Sequence, residues 1–361
     1  MIKVGVVGCG YWGPKLARNF HEMPEAKLEW VCDFRKDRLD HMRHLYPEAR
    51  TTTSYEKVLA SDVDAVVLAT PVSTHCPLAL LALGARKHVL VEKPLAASAR
   101  EARSIAVAAH RLGLIAMVGH TFVYNPAVEA VKEIIDSGEL GHIYYINGMR
   151  VNLGLFQPDI NVLWDLAPHD ISILMYILGS DPVAVSARGG VFVQKAKGVH
   201  DMAYVSARFP GNILADIRVS WLDPVKYRLY TVVGSRKMLV YDDIAAVDKV
   251  VVYDKRVEFP PYSDTEQEFH ASYFSGEGVP HPVVWSEPLR RQCEHFVQCI
   301  EQKRVPRSSA EAGLKVVQVL EAADRSLHNG NSWEDIEWGL GTGSGSRQMF
   351  TLDGTSRSLA S

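Results

Sequence analysis

The sequence contains no apolar run approaching the ~20 residues that a membrane-spanning helix needs. No membrane partner is expected. Long blocks of lysine and arginine are also missing, and the net charge is only −3 over 361 residues. Without a basic stripe there is no electrostatic footprint for a nucleic-acid backbone. Cysteine is scarce: Cys9, Cys32, Cys76, Cys293 and Cys299 form an odd, scattered set. That argues against a disulfide framework and suits buried thiols in a reducing compartment. Cys293 and Cys299 have no second cluster to complete a metal site, and His41 and His44 sit in a charged stretch that reads as a solvated helix face, so no metal is expected. The opening Met1-Ile2-Lys3-Val4 runs straight into a strand-like segment without the form of a signal peptide, which gives a cytoplasmic expectation. The expected partners are small molecules and further copies of the chain.

What is present is an ordinary globular composition, 47% hydrophobic, in a chain longer than one core usually serves. Apolar runs alternate with amphipathic stretches: Ile2 to Val7 then Leu16 to Phe20, Leu28 to Cys32 then Arg35 to Leu45, Ala65 to Ala69 then Pro77 to Leu83. Val89 to Val91, a helix over Ser98 to Leu112, and Ile115 to Val118 continue the rhythm. Strands this apolar on both faces predict a parallel sheet covered by helices. Beyond residue 120 the pattern changes. A helix from about Pro126 to Asp136 precedes long strands such as Ile143 to Asn147, Val183 to Ala187, Ala203 to Phe209 and Ile213 to Val219, which predict a largely antiparallel sheet. A closing helix is predicted over Ala310 to Leu327, and the Gly/Ser-rich segment after Trp338 reads as a flexible tail. The chain is thus α/β, divided as 1–122, 123–338 and a tail over 339–361.

Gly8-Cys9-Gly10-Tyr11-Trp12-Gly13 follows the first strand and opens a helix with Pro14 in its first turn. In that context the glycines serve a tight turn, close approach of a pyrophosphate and close helix packing, with the helix N-terminus facing phosphate charge. Asp33 ends the second strand twenty positions beyond Gly13, where a carboxylate can accept hydrogen bonds from an adenosine ribose. This favours NAD as the cofactor. Arg35 and Lys36 are near enough to soften repulsion of a 2′-phosphate, which keeps NADP possible. Thr70-Pro71, at a strand's carboxyl end, and His75 are candidates to line the cofactor; Thr-Pro can equally be a plain turn and His75 a helix cap.

Val91-Glu92-Lys93-Pro94 puts two opposite charges at the end of a strongly apolar strand. From there Lys93 can hydrogen-bond a substrate hydroxyl and stabilise an alkoxide; the alternative is an exposed pair before a turn. In Trp164-Asp165-Leu166-Ala167-Pro168-His169-Asp170 a helix is predicted to begin near Leu166, with Pro168 in its first turn. Asp165 and His169, four apart, share a face. The helix N-terminus keeps His169 neutral and able to accept a proton, while a carboxylate alongside can fix its tautomer. Asp165 can also serve as an N-cap and His169 as a core histidine. Asp170 is read as facing solvent or packing on a loop, and the aromatic run Tyr227 to Tyr230 as sheet packing.

These residues resemble the glucose-fructose oxidoreductase, inositol dehydrogenase and MocA family, over essentially the whole chain to about residue 335. The resemblance rests on Gly8-x-Gly10-x-x-Gly13, Thr70-Pro71 with His75, Glu92-Lys93-Pro94, Asn125-Pro126, and Asp165 followed by His169. It implies an N-terminal Rossmann domain, a C-terminal α/β domain built on an open-faced sheet, and association into a homodimer or homotetramer. It implies that Lys93, Asp165 and His169 are the catalytic groups. Gly8, Gly10, Tyr11, Trp12, Gly13, Asp33, Thr70, Pro71, His75, Glu92 and Lys93 are the expected cofactor contacts. Tyr124, Asn125, Arg150 and Asn152, with Gly154 and the segment from Asp159 to Trp164, are expected at the substrate wall beside Asp165 and His169. The implied activity is hydride transfer between a nicotinamide and a hydroxyl or keto carbon of a sugar, nucleotide sugar or cyclitol. A glycoside hydrolase that oxidises its substrate transiently would use the same three groups, whereas a dinucleotide-sensing regulator would need neither Lys93 nor His169.

Overall fold

The computed structural model describes residues 1–157, 160–258 and 271–338; the predicted tail at 339–361 and Asp159 lie outside the described residues. The first 118 residues build one parallel sheet of six strands in the order β3-β2-β1-β4-β5-β6. These are β1 (Ile2–Val7), β2 (Ala26–Cys32), β3 (Arg50–Thr52), β4 (Ala65–Leu68), β5 (His88–Val91) and β6 (Ala116–Val118), linked by α1 (Gly13–Glu22), α2 (Lys36–Leu45), α3 (Tyr55–Leu59), α4 (His75–Gly84) and α5 (Ala99–Leu112). Val4, Val6, Val66, Val67, Val89 and Leu90 are buried because helices cover both faces. The strand order reverses between β1 and β4, which opens a crevice at their carboxyl ends. Helix α5 shows how local chemistry fixes an element: the Ser98 hydroxyl accepts the Glu101 N–H at its start, and Gly113 ends it at φ 64°.

The second sheet has nine strands in the order β14-β13-β12-β11-β7-β10-β9-β8-β15. They are β7 (Ile143–Val151), β8 (Ala184–Gly190), β9 (Met202–Phe209), β10 (Ile213–Ser220), β11 (Tyr227–Gly234), β12 (Met238–Asp242), β13 (Val250–Glu258), β14 (Ser272–His281) and β15 (Glu334–Asp335). Strands β7 and β10 run parallel and the other described pairings are antiparallel. Helices α6 (Pro126–Asp136) and α7 (Val162–Leu178) pack on one face. On the other, the register partners Tyr145 and Leu214 stay exposed.

Two helices return across the junction. Helix α8 (Pro288–Gln302) places Leu289, Cys293, Phe296 and Val297 in a core of the first sheet. Helix α9 (Ala310–His328) gives Leu314 and Val317 to the other core of that sheet, and Val316, Val319, Leu320 and Ala323 to the core of the second. All five cysteines are buried and unpaired. Among the described residues no helix is long and apolar enough to cross a membrane.

Helix α7 corrects the sequence reading. It begins at Val162, not near Leu166, because the side chain of Asn161 caps it by accepting the Trp164 N–H at 3.1 Å. Pro168 therefore lies inside the helix rather than in its first turn, and Asp165 is not the cap.

Candidate active site

The glycine loop connects β1 to α1. Gly8 sits at φ 91°, and a side chain there would strike the carbonyl oxygen of Ala69; a Cβ on Gly13 would lie 1.9 Å from the Gly8 carbonyl oxygen. Both positions demand glycine. Gly10 is different: its nearest neighbour would be an Arg38 nitrogen at 3.7 Å, so the loop keeps an open cradle where a phosphate can approach backbone. No side chain caps α1, whose first turn includes Pro14, and this leaves its leading N–H groups facing the cradle.

Asp33 is buried directly under this loop. Its carboxylate accepts the Cys9 N–H at 2.6 Å and the Arg35 N–H at 2.8 Å. The cation near it is Arg38, 3.6 Å away, and not the expected Arg35 and Lys36, since the Arg35 guanidinium turns to Asp37. Phe34 next to it is 80% exposed. Thr70 and Pro71 follow β4. The His75 ring is buried, with one nitrogen 2.9 Å from the Pro94 carbonyl oxygen and the other 2.9 Å from that of Thr70. It fastens the two loops to each other.

At the end of β5, Glu92 is buried with the Lys93 N–H donating to it at 3.1 Å, and burial pushes its carboxyl up to about 7. The Lys93-Pro94 peptide bond is cis. Lys93 Nζ donates to the Asp165 carbonyl oxygen at 2.7 Å and to its carboxylate at 3.2 Å, which joins the first sheet to α7. The other Asp165 oxygen accepts the Trp221 indole N–H at 3.0 Å. Asp165 therefore holds Lys93 and is held by Trp221. His169 Nδ1 is buried without a partner, so the tautomer-setting contact expected from Asp165 is absent among the described residues. Burial, followed by the charges of Lys93 and Arg150, keeps the His169 imidazole well below the ordinary histidine range. Its ring meets Phe122 edge-on at 5.0 Å. His120, behind it, is also buried with neither ring nitrogen partnered, and burial together with Lys93 pushes it down to about 3.

The residues expected at the substrate wall divide. Arg150 is buried, and its Nε donates to both oxygens of Asp170 at 3.0 and 2.8 Å, while its guanidinium lies 4.3 Å from the Phe122 ring. Asp170 is fully buried and also accepts the Tyr230 hydroxyl, which overturns the reading of Asp170 as solvent-facing. Tyr230 stacks on Tyr241 within the sheet. Tyr124 is buried with its hydroxyl 3.0 Å from Ser308 Oγ. Asn125 caps α6 and donates to Asp243 at 2.9 Å. Asn152 and Gly154 donate backbone N–H groups to Ser220 and Trp221, so they seat the indole that holds Asp165. Trp164 packs partly buried against the cores of both sheets.

A cleft of about 770 Å³ runs between the sheets, lined on one side by Trp12, Lys15 and Glu92 and on the other by Phe122, His169 and Arg228. Trp221, Phe122 and Arg228 were not signalled in the sequence: each is an ordinary residue of a strand or turn until the tertiary fold delivers it.

A model of the oxidoreductase family with an NAD-binding Rossmann fold matches residues 2–120, and one of the GFO/IDH/MocA C-terminal domain matches residues 128–240. The chain belongs to the GFO/IDH/MocA oxidoreductase family. It is 25% identical over 340 residues to scyllo-inositol 2-dehydrogenase (NAD(+)) of Bacillus subtilis (strain 168), covering 91% of this chain and 95% of that one. With inositol 2-dehydrogenase of Rubrobacter xylanophilus it shares 31% identity over 242 residues, 65% of this chain and 70% of the relative. Among solved structures, the NAD complex of GenD2 from gentamicin A biosynthesis superposes with a TM-score of 0.77 at 25% identity, covering 92% of this chain and 96% of that chain. The open cradle at Gly10 fits NAD, the cofactor of this Rossmann domain.

Proposed function

We propose that the protein is an NAD-dependent dehydrogenase or ketoreductase of a polyhydroxylated substrate, with Lys93 and His169 handling the reacting oxygen and its proton. The observation that carries this reading is the meeting of Lys93 with Asp165, at the carboxyl edge of the dinucleotide sheet and one helical turn from His169. The inositol dehydrogenases among its relatives support a sugar-like or cyclitol substrate. When bound, NAD supplies the hydride acceptor. His169, neutral across the working pH range, accepts the hydroxyl proton. Lys93 donates a hydrogen bond to the same oxygen and stabilises the charge that develops there. Asp165, anchored by the Trp221 indole, aims the ammonium group. Glu92, Thr70 and Gly10 would line the path of the dinucleotide, and Asp33 would accept from the adenosine ribose through the oxygen lone pairs its backbone donors leave free.

The test is to assay nicotinamide reduction with NAD or NADP across free sugars, inositols and nucleotide sugars, in wild type, Lys93→Ala and His169→Ala. Substrate-dependent reduction lost in both variants, with cofactor binding intact, supports the reading. Cleavage of a glycoside by protein that retains and recycles its NAD overturns it.

A further inference from the structure

The cleft that holds His169 carries a charge pattern a neutral polyol does not need. Five cationic side chains line it: Lys15 and Arg18 from α1, Lys226 and Arg228 from the start of β11, and Lys249 from the turn before β13. Three carboxylates share the lining, Glu92, Asp243 and Glu287. Two of these are already spent within the protein. Asp243 pairs with Arg228 at 3.2 Å, and Glu287 pairs with Arg18. Glu92 lies buried at the inner end against the Lys93 backbone.

Three ammonium groups remain without a carboxylate among the described residues. Lys249 Nζ donates to the carbonyl oxygens of Asp243 and Ala245, each at 2.6 Å, and rides 5.1 Å over the Trp285 ring. Lys15 lies 3.5 Å over the exposed Tyr11 ring. Lys226 is exposed with no ion-pair partner. Lys15, Lys226 and Arg228 line the same cleft, so cations from the two halves converge at one mouth; a hydrogen bond with Lys15, followed by the charges of Lys15, Lys226 and Arg228, pulls the Tyr11 phenol downward. Like charges gathered this way repel one another, and in a chain of net charge −3 the arrangement is local.

On these grounds, and resting on the dehydrogenase reading above, we infer that the substrate is anionic: its reacting carbinol lies at His169 and Lys93, and a carboxylate or phosphoryl group lies at the mouth against Lys226 and Lys15. Trp12 and Trp285 on the same walls offer flat apolar faces to the part between. Lys226 immediately precedes β11 and reaches the mouth from the side of the second sheet.

The experiment titrates NAD-loaded protein with glucuronate, glucose 1-phosphate, UDP-glucose, glucose and myo-inositol, reading tryptophan fluorescence, and assays NADH formation with each. At least one anionic compound should half-saturate at a concentration about tenfold below the neutral ones. The compound that does so names the group: glucuronate a carboxylate, glucose 1-phosphate a phosphate ester, UDP-glucose a pyrophosphate. Its binding should weaken as salt rises. Lys226→Glu should raise the half-saturating concentration about tenfold, leave NAD affinity in place, and be rescued by Lys226→Arg. Neutral compounds that bind as well as the charged ones, or a Lys226→Glu variant that binds anions as wild type does, overturn the inference. The two readings fail separately. NADH formed equally well from glucose or inositol removes the anionic substrate and leaves the dehydrogenase, whereas Lys226-dependent anion binding with no NADH from any compound leaves the anion site and removes the dehydrogenase.

Discussion

Lys93 Nζ is bonded to both the backbone carbonyl and the carboxylate of Asp165, at 2.7 and 3.2 Å, across 72 positions of sequence. The lysine is thus fixed at two points before any substrate arrives, and such preorganisation makes an electrostatic contact effective in a transition state. Replacing Lys93 with methionine, similar in length and uncharged, should lower kcat by on the order of 10²–10³. Cofactor binding followed by fluorescence should change little. A methionine variant with wild-type kcat would remove Lys93 from the chemistry.

Trp221 acts on the same group from behind. Trp221→Phe keeps an aromatic side chain and deletes the indole N–H that donates to Asp165 Oδ2. Asp165 then loses an anchor, and kcat should fall by about tenfold, the scale of one hydrogen bond to a charged group. Trp221 is fully buried, so the smaller ring also leaves a cavity and the Tm should fall; a loss of kcat measured well below that Tm, with KM little changed, is the sign of a positioning role. A lowered Tm with wild-type kcat below it would reduce Trp221 to packing.

Glu92 makes stability depend on pH. Its folded carboxyl titrates near 7 and its unfolded one near 4.5. The folded state therefore holds the proton more tightly, and stability falls as pH rises from 4.5 through 7. Glu92→Gln, which mimics the neutral form, should be more stable than wild type by about 2–3 kcal/mol at pH 8 and match it near pH 4.5. Urea denaturation at both pH values checks this, and a constant difference between them would contradict it.

The same variant isolates His169. With Glu92 unable to titrate, a general base held well below the ordinary histidine range stays neutral from pH 8 down to pH 6. The kcat/KM of Glu92→Gln should be flat over that interval. An acid limb at 6.5 would mean that the working base is a solvated group.

Arg150 and Asp170 form a buried pair in which one carboxylate serves Arg150 and Tyr230. Asp170→Ala strands the guanidinium and should cost about 3–5 kcal/mol in thermal or urea unfolding, while Arg150→Met with Asp170→Leu should cost less than the single change. A larger loss in the double variant would show that the pair is favourable in its own right.

Most of the first sheet was legible because β1, β4, β5 and β6 are largely buried and read as plain apolar runs, and because the glycine loop concentrates its whole signal in six consecutive residues; the short, polar β3 was not anticipated. Of β11 only Tyr227 to Tyr230 was read as part of a sheet, and the strands over Met238–Asp242, Val250–Glu258 and Ser272–His281 were not anticipated. Strand β12 alternates but spans only five residues, while β13 and β14 are largely exposed, with charges such as Lys255 and Arg256, and so show little contrast between faces. Pro168 misled the reading of α7, since a proline suggests a first turn and the true cap, Asn161, lies seven positions earlier. The motifs named Lys93, Asp165 and His169 as a group. What the Asp165 carboxylate touches besides Lys93 was decided by Trp221, a residue with no local signature that follows β10 of the second sheet.

Helix α9 lends one side to each core, and α8 lies on the first sheet although it follows the second in sequence. The two halves are stitched by covalent chain at several places, so a wide hinge motion would have to tear apolar contacts on both sides of α9. The cleft then behaves as a slot of fixed width, filled from its open mouth. Selectivity in such a slot is exercised at the doorway, by what the threshold attracts or turns away, more than by walls folding around a guest already inside.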